Sequence, residues 1–281
     1  MHGRIVKTMD SRSENPRLAR LLTPWGGVTV AFDHGLSGVP VGLEDARARV
    51  REVLSAQVDG IITAIGLARA MQQEIEAAGV ALVGALDATI MDGDQAVGRA
   101  IVGTADQFAA VGADCVKILF QLAWKRDRLA EEVRTVSAAV REAESAGLPI
   151  MIEPVLFGLD QPEDANAAEQ LVMDGCRIAS EVGASILKVP MIRSDNLAHI
   201  VETSYCPVVV LGGAGIDARA FLQSIDSAME VGVRGVTVGR NCWQAGNPEA
   251  MVDAMRAVVT DRDLERAIAR LSEERATAAV A

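Results

Sequence analysis

The stretch Ser185-Ile186-Leu187-Lys188-Val189-Pro190-Met191 places a single lysine in an otherwise largely apolar run. Near-continuous apolar runs of this length are typical of parallel strands that are buried on both faces. Seven more such runs occur along the chain, and a pattern that favours a helix follows each of them. The sequence therefore predicts a fold built from eight strand–helix units.

The spacing of these units favours a closed barrel. The predicted strands begin roughly 21 to 36 residues apart, which is the length of one βα unit. Several helices end at a glycine directly before the next strand, where glycine adopts the left-handed conformation. An open doubly wound sheet is the alternative, but no G-x-G-x-x-G motif follows the first strand. We predict an α/β fold, a (βα)8 TIM barrel, with strands at residues 27–32, 60–64, 81–86, 114–119, 149–154, 185–189, 207–211 and 235–238.

The chain length of 281 residues suits one such barrel as a single domain with extra terminal helices. We assign residues 1–26 to a lead-in with a short helix and residues 27–260 to the barrel. Residues 261–281 are predicted to form a C-terminal helix and a frayed tail.

Composition limits the partners of the protein. A net charge of −11 argues against nucleic acid or an anionic membrane surface as a partner. The four cysteines form no disulfide framework, which favours a reducing compartment. No signal peptide or membrane-spanning run is evident, so we predict a cytoplasmic protein. Barrels of this kind commonly assemble, and a homo-oligomer is expected.

Two of the four lysines, Lys117 and Lys188, lie within predicted buried strands. Burial and a second nearby cation both favour the neutral amine, which is the form that attacks a carbonyl to give a Schiff base. The alternative is a structural lysine whose stem packs in the core while its head reaches a carboxylate or water.

Three carboxylates are candidates for the same site. Glu153 lies on the fifth predicted strand, between the strands that carry the two lysines, and should lie between Lys117 and Lys188. It could hold one lysine as a cation and move protons for the other. Asp33 and Asp87 follow the first and third strands, where they could bind substrate hydroxyls or act as the base. A purely structural ion-pair cluster is the alternative.

The loops after the last two strands are predicted to hold an anion. Gly212, Gly213, Gly239 and Arg240 lie there, and in TIM barrels these loops are the usual phosphate site. His34, after the first strand, could bind substrate or simply belong to a turn. The three histidines of the chain show no metal-binding spacing, so no metal is predicted.

Several motifs resemble those of archaeal-type class I fructose-bisphosphate aldolases. They are Ala31-Phe32-Asp33-His34-Gly35, the run Gly183-Ala184-Ser185-Ile186-Leu187-Lys188-Val189-Pro190, and the run Gly239-Arg240-Asn241-Cys242-Trp243-Gln244. The resemblance implies Schiff-base chemistry at Lys188 and a phosphate held by the last two strands.

The fifth strand departs from the archaeal pattern, since Ile152-Glu153-Pro154 stands where those aldolases carry a tyrosine. This segment and Lys117 are more similar to the tagatose-bisphosphate and sulfofructose-phosphate aldolase branch. That resemblance implies that Lys117, Glu153 and Asp87 belong to the active site.

Taken with the residues, the resemblance predicts an aldehyde-lyase: a metal-independent class I aldolase that cleaves or forms a carbon–carbon bond in a phosphorylated ketose or a related sugar derivative. The covalent lysine Schiff base would serve in place of a cofactor. The alternatives are a thiolase-like acyltransferase or transaldol enzyme on the same scaffold, and a barrel that only binds a sugar phosphate.

Overall fold

The structure is a computed structural model that describes residues 15–92, 95–122, 126–156, 162–213 and 217–278. Predictions for residues 1–14 of the lead-in, for residues 214–216 after the seventh predicted strand and for the last three residues of the tail lie outside the described residues.

The described chain contains ten strands, of which eight form the barrel. The strands are β1 (Gly27–Ala31), β2 (Gly60–Thr63), β3 (Ala81–Ala85), β4 (Asp87–Asp92), β5 (Gln95–Ile101), β6 (Cys115–Leu122), β7 (Ile150–Leu156), β8 (Ile186–Val189), β9 (Val208–Leu211) and β10 (Gly235–Val238).

The helices alternate with the barrel strands. They are α1 (Pro16–Leu21), α2 (Ala46–Ser55), α3 (Ile65–Ala70), α4 (Gln72–Ala78), α5 (Ala105–Ala110), α6 (Arg126–Ser145), α7 (Ala165–Val182), α8 (Ser194–Thr203), α9 (Ala218–Glu230), α10 (Arg240–Trp243), α11 (Pro248–Arg256) and α12 (Leu264–Ala278). A 3-10 helix spans Asp33–Ser37, and a π-helical turn spans Ala257–Asp261.

The eight barrel strands close in the order β1-β10-β9-β8-β7-β6-β3-β2, and neighbouring strands in this ring are parallel. The predicted TIM barrel is confirmed. The glycines predicted to end helices have positive φ, for instance 69° at Gly147 and 96° at Gly232, so each helix turns directly into the next strand.

The core has two layers. Apolar side chains on one face of the strands pack against the surrounding helices, and those on the other face fill the barrel. Leu18 and Leu21 of α1 belong to the inner layer, together with Cys115 and Met151. An ion pair of 2.6 Å between Arg20 and Asp114, just before β6, fastens α1 to this end. The lead-in helix therefore closes the amino-terminal end of the barrel.

The segment after β3 differs from the prediction of a helix directly after each strand. There β4 and β5 form an antiparallel hairpin, with Asp87 opposite Ile101 and Asp92 opposite Gln95. The short helix α5 follows only after this hairpin. Asp87 is thus the first residue of an added strand, and it lies two residues beyond the end of β3.

No helix in the described part of the chain is long and apolar enough to cross a membrane.

Candidate active site

Four charged side chains meet inside the carboxyl-terminal half of the barrel. Nζ of Lys188 on β8 lies 3.0 Å from Oε1 of Glu153 on β7. The other oxygen of that carboxylate, Oε2, lies 3.2 Å from Nζ of Lys117 on β6. Lys117 also donates a hydrogen bond of 3.1 Å to Asp33, which begins the 3-10 helix after β1. Glu153 therefore lies between the two lysines, as the order of the strands predicts.

The alternation of side chains along each strand explains this convergence, since residues two apart share a face. On each of the three strands, an apolar residue packed inside the barrel precedes the charged residue by two positions. The pairs are Cys115 and Lys117, Met151 and Glu153, and Ile186 and Lys188.

Lys117 is held as a cation. Burial by itself lowers the pKa of an ammonium, but Asp33 and Glu153 outweigh it and the pKa of Lys117 rises above its usual value. Burial likewise raises the pKa of Asp33, yet Lys117 and then Lys188 hold that pKa below its usual range. Both groups therefore stay charged across the neutral range.

Glu153 has the features of a proton carrier. Burial raises the pKa of its carboxyl, but Lys117 and Lys188 outweigh this and leave the pKa below its usual value. Oε2 is buried and accepts no hydrogen bond from any described residue, although Lys117 is at ion-pair distance. A carboxylate with spare acceptor capacity beside an amine suits proton transfer during carbonyl chemistry.

His34 connects this cluster to the loop after β10. A Cβ at Gly239 would lie 2.4 Å from Cε1 of His34, so the ring occupies the space that the missing side chain leaves. The ring also meets Trp243 edge to face, with the centroids 5.3 Å apart. Burial lowers the pKa of His34, although neighbouring Asp33 acts in the opposite direction. The imidazole is therefore neutral at neutral pH.

The predicted anion-binding residues lie together at the ends of β9 and β10. The side-chain amide of Asn241 donates a hydrogen bond of 2.7 Å to the carbonyl of Gly212. Arg240 donates one of 3.3 Å to the carbonyl of Gly213. Gly239 directly precedes Arg240, the first residue of α10. These contacts join the two loops into one sector of the barrel mouth.

Asp87 takes part in a separate network. Both of its oxygens accept a hydrogen bond from the backbone N–H of Leu119, at 3.2 and 3.1 Å, and Oδ2 lies 3.6 Å from Arg99. Arg99 in turn donates to the carbonyl of Leu119 and pairs with Glu132 on α6. Burial raises the pKa of Asp87 to about 6, with Lys117 and Arg99 acting in the opposite direction.

The sequence analysis missed Arg99 and Glu132 because it did not predict the hairpin. In the sequence, Gly93-Asp94 is the signal that indicates it, since Gly-Asp between two strand-like runs is favoured for a two-residue hairpin.

No metal centre is found in the described part of the chain, and the Cys115 thiol inside the barrel is not activated as a nucleophile. No group of three or more histidine, cysteine or acidic side chains there could hold a metal ion. Burial raises the pKa of the Cys115 thiol to about 12, so this side chain inside the barrel is not a thiolate at neutral pH.

The family model for the DeoC/LacD family of aldolases matches residues 27–245, from β1 to just beyond α10. The chain therefore belongs to the DeoC/LacD family of aldolases. It is a class I aldolase, an aldehyde-lyase that works through a covalent lysine Schiff base and without a cofactor.

Individual relatives support the same class. The chain is 30% identical over 267 residues to 2-amino-3,7-dideoxy-D-threo-hept-6-ulosonate synthase of Halobacterium salinarum, covering 93% of this chain and 97% of that protein. It is also 30% identical over 252 residues to a class 1 fructose-bisphosphate aldolase of Halobacterium salinarum, covering 86% and 94%. Among solved structures, an archaeal fructose 1,6-bisphosphate aldolase shares the fold, with a TM-score of 0.74 and 20% identity over 88% of this chain and 99% of that one.

Proposed function

We propose that Lys188 is the lysine that forms the Schiff base, on a phosphorylated ketose or a related sugar derivative. The observation that carries this assignment is the 3.0 Å contact between Nζ of Lys188 and Oε1 of Glu153 inside the barrel. A lysine that attacks a carbonyl must first give up a proton, and this carboxylate is placed to receive it.

The other charged groups have supporting roles in this proposal. Glu153 accepts the proton from Lys188, returns it as water leaves the carbinolamine, and takes the hydroxyl proton when the carbon–carbon bond breaks. Lys117, held charged by Asp33 and Glu153, stabilises negative charge near the reacting carbons. Asp33 orients a substrate hydroxyl. Asp87 acts as a positioning residue, because its two oxygens bind Leu119 and face Arg99.

The anionic end of the substrate is assigned to the mouth sector at β9 and β10. Gly212, Gly213 and Gly239 bring backbone close to a bound group, and Arg240 supplies a positive charge against the acidic background of the chain. His34, neutral and packed on Gly239, lies between this sector and the reacting lysine. Relatives that are 30% identical include a fructose-bisphosphate aldolase and an ulosonate synthase, so both cleavage and bond formation need testing.

Borohydride trapping tests the assignment. The protein is incubated with dihydroxyacetone phosphate or a panel of ketose phosphates, reduced, and mapped by peptide mass. The expected result is an adduct on the peptide that contains Lys188 and none in Lys188→Arg, which keeps a cation beside Glu153 but removes the nucleophile. An adduct on Lys117 would overturn the assignment, and so would the absence of an adduct on Lys188 with every probe.

We also propose a cytoplasmic location and a homo-oligomeric state. Composition supports the first, and the common assembly of similar barrels into oligomers supports the second. Light scattering coupled to size exclusion tests the second of these.

A further inference from the structure

Gln121 is a buried amide that the charged cluster does not use. It lies on β6 four residues beyond Lys117, and because side chains alternate along a strand it faces the same barrel interior. The residue is only 8% exposed, and its Nε2 has no hydrogen-bond partner among the described residues. Unpaired buried donors are uncommon in native proteins, and each one calls for an explanation.

The backbone of Gln121 is fixed although its side chain is unpaired. Its N–H donates a hydrogen bond of 3.1 Å to Oε2 of Glu132. Glu132 also pairs with Arg99, which donates to the carbonyl of Leu119. The hairpin and α6 therefore hold this end of β6 in place from both sides. The fixed backbone sets where the unpaired amide of Gln121 starts from the barrel wall, which leaves that amide available to bind something other than the protein.

The order of strands indicates what reaches Gln121. Around the barrel, the loops after β10 and β9 form the mouth sector proposed to bind the anion. The next strands in order are β8 with Lys188, β7 with Glu153 and β6 with Gln121. Gln121 pairs in register with Val155, which lies two residues nearer the mouth than Glu153 on β7. A substrate with its anion at β9 and β10 and its carbonyl at Lys188 extends past Glu153 towards Gln121. The part that arrives there lies beyond the bond that breaks.

We propose that Nε2 of Gln121 donates a hydrogen bond to a hydroxyl oxygen of the aldehyde portion of the substrate. The proposal rests on the function proposed above and adds a determinant of which aldehydes the enzyme uses. In the condensation direction, the enamine carbon formed on Lys188 attacks the aldehyde carbon and a carbon–carbon bond forms. The carbonyl π bond of the aldehyde breaks, its oxygen takes the proton held by Glu153 to become a hydroxyl, and water then hydrolyses the iminium to release the product and restore Lys188.

The test compares Gln121→Leu with the wild type and with Gln73→Leu, which replaces an exposed glutamine of α4. Dihydroxyacetone phosphate is condensed with glyceraldehyde or with propanal, which lacks the hydroxyls. We expect Gln121→Leu to trap dihydroxyacetone phosphate as the wild type does. Its kcat/KM should fall about 10- to 100-fold with glyceraldehyde and less than about threefold with propanal. Its melting temperature should stay the same or rise, because an unpaired buried donor has been removed.

The outcomes separate the two proposals. A wild type that traps no probe on Lys188 refutes the proposed function, and the inference falls with it. If the wild type traps dihydroxyacetone phosphate, the inference is overturned by any of three results. These are an equal loss with both aldehydes, a wild type with no preference for glyceraldehyde, and a Gln121→Leu protein that fails to fold or to trap the probe.

Discussion

The amine of Lys188 and the carboxylate of Glu153 lie 3.0 Å apart with both side chains buried. Removing Glu153 would leave the buried amine of Lys188 without this partner, and an unpaired buried charge is costly. Removing Lys188 would leave Glu153 paired with Lys117 alone. Catalytic and structural effects of substitution are therefore best separated with variants that keep the shape of the side chain.

Glu153→Gln keeps the shape of the glutamate side chain but removes the carboxylate that is proposed to accept the proton. We expect kcat to fall by about 100- to 10,000-fold, the usual contribution of a general acid–base group. Steady-state kinetics measures the loss. Glu169→Gln is the matched control, because Glu169 pairs with exposed Arg193 outside the cluster, and its kcat should stay close to that of the wild type. A Glu153→Gln enzyme of near wild-type rate would refute the role assigned to this carboxylate.

Lys117→Met should destabilise the fold. The substitution leaves the partly buried carboxylate of Asp33 and the buried carboxylate of Glu153 without this cation, at a cost of about 3–5 kcal/mol. Urea unfolding at neutral pH measures it, and adding Asp33→Asn should recover part of the loss. An additive double variant would show that the two residues do not interact.

The contribution of Lys117 to stability should also depend on pH in one direction. Its pKa is higher in the folded state than in the unfolded chain, since Asp33 and Glu153 outweigh burial. The contribution is therefore complete below the unfolded pKa of about 10.4 and is lost as the pH rises towards the folded value. Titration of Lys117 should therefore not change the difference in unfolding free energy between wild type and Lys117→Met from pH 7 to 9.

Asp87→Asn tests the raised pKa of the buried carboxyl. The folded pKa of about 6 lies above the usual aspartate pKa of 3.8, so the folded state keeps a proton that the unfolded chain has lost between these values. The wild type therefore loses stability from this group as the pH rises from about 4 to about 6. Relative to the wild type, the unfolding free energy of Asp87→Asn should rise by about 3 kcal/mol over this range. Urea unfolding at intervals from pH 4 to pH 7 would show it, and a flat difference would contradict it.

Gly239→Ala should displace His34. The new Cβ would lie 2.4 Å from Cε1 and 2.9 Å from Nε2 of the ring, and overpacking of this kind costs about 1–3 kcal/mol. We expect a lower melting temperature and a raised KM for phosphorylated substrate. Gly246→Ala is the control, because no atom lies within 4 Å of its added Cβ. Equal behaviour of the two variants would rule out the contact with His34 as the cause.

The sequence predicts the barrel and the lysine–glutamate–lysine cluster for the same reason. Regularly spaced apolar runs imply neighbouring strands, and neighbouring strands place Lys117, Glu153 and Lys188 side by side. The proposed anion-binding loops are predicted from the glycines at the last two strand ends, and in the structure Arg240 and Asn241 link these loops by hydrogen bonds.

What the sequence analysis missed depends on contacts between distant segments. The predicted fourth strand stops at residue 119, whereas β6 continues to Leu122 because it pairs with β7 as far as Leu156. Gln121 therefore becomes a barrel residue only through this longer pairing. Asp87 looks like a free carboxylate at a strand end until the hairpin brings Arg99 to it.

The helix α1 packs Leu18 and Leu21 into the amino-terminal end of the barrel. Substrate entry and product release therefore take place at the opposite, carboxyl-terminal end. Reactants arrive and products depart on the side where Lys188 and the glycine loops lie. The water that hydrolyses the imine enters by the same route. The first product must therefore leave before this water can reach the imine and release the second product.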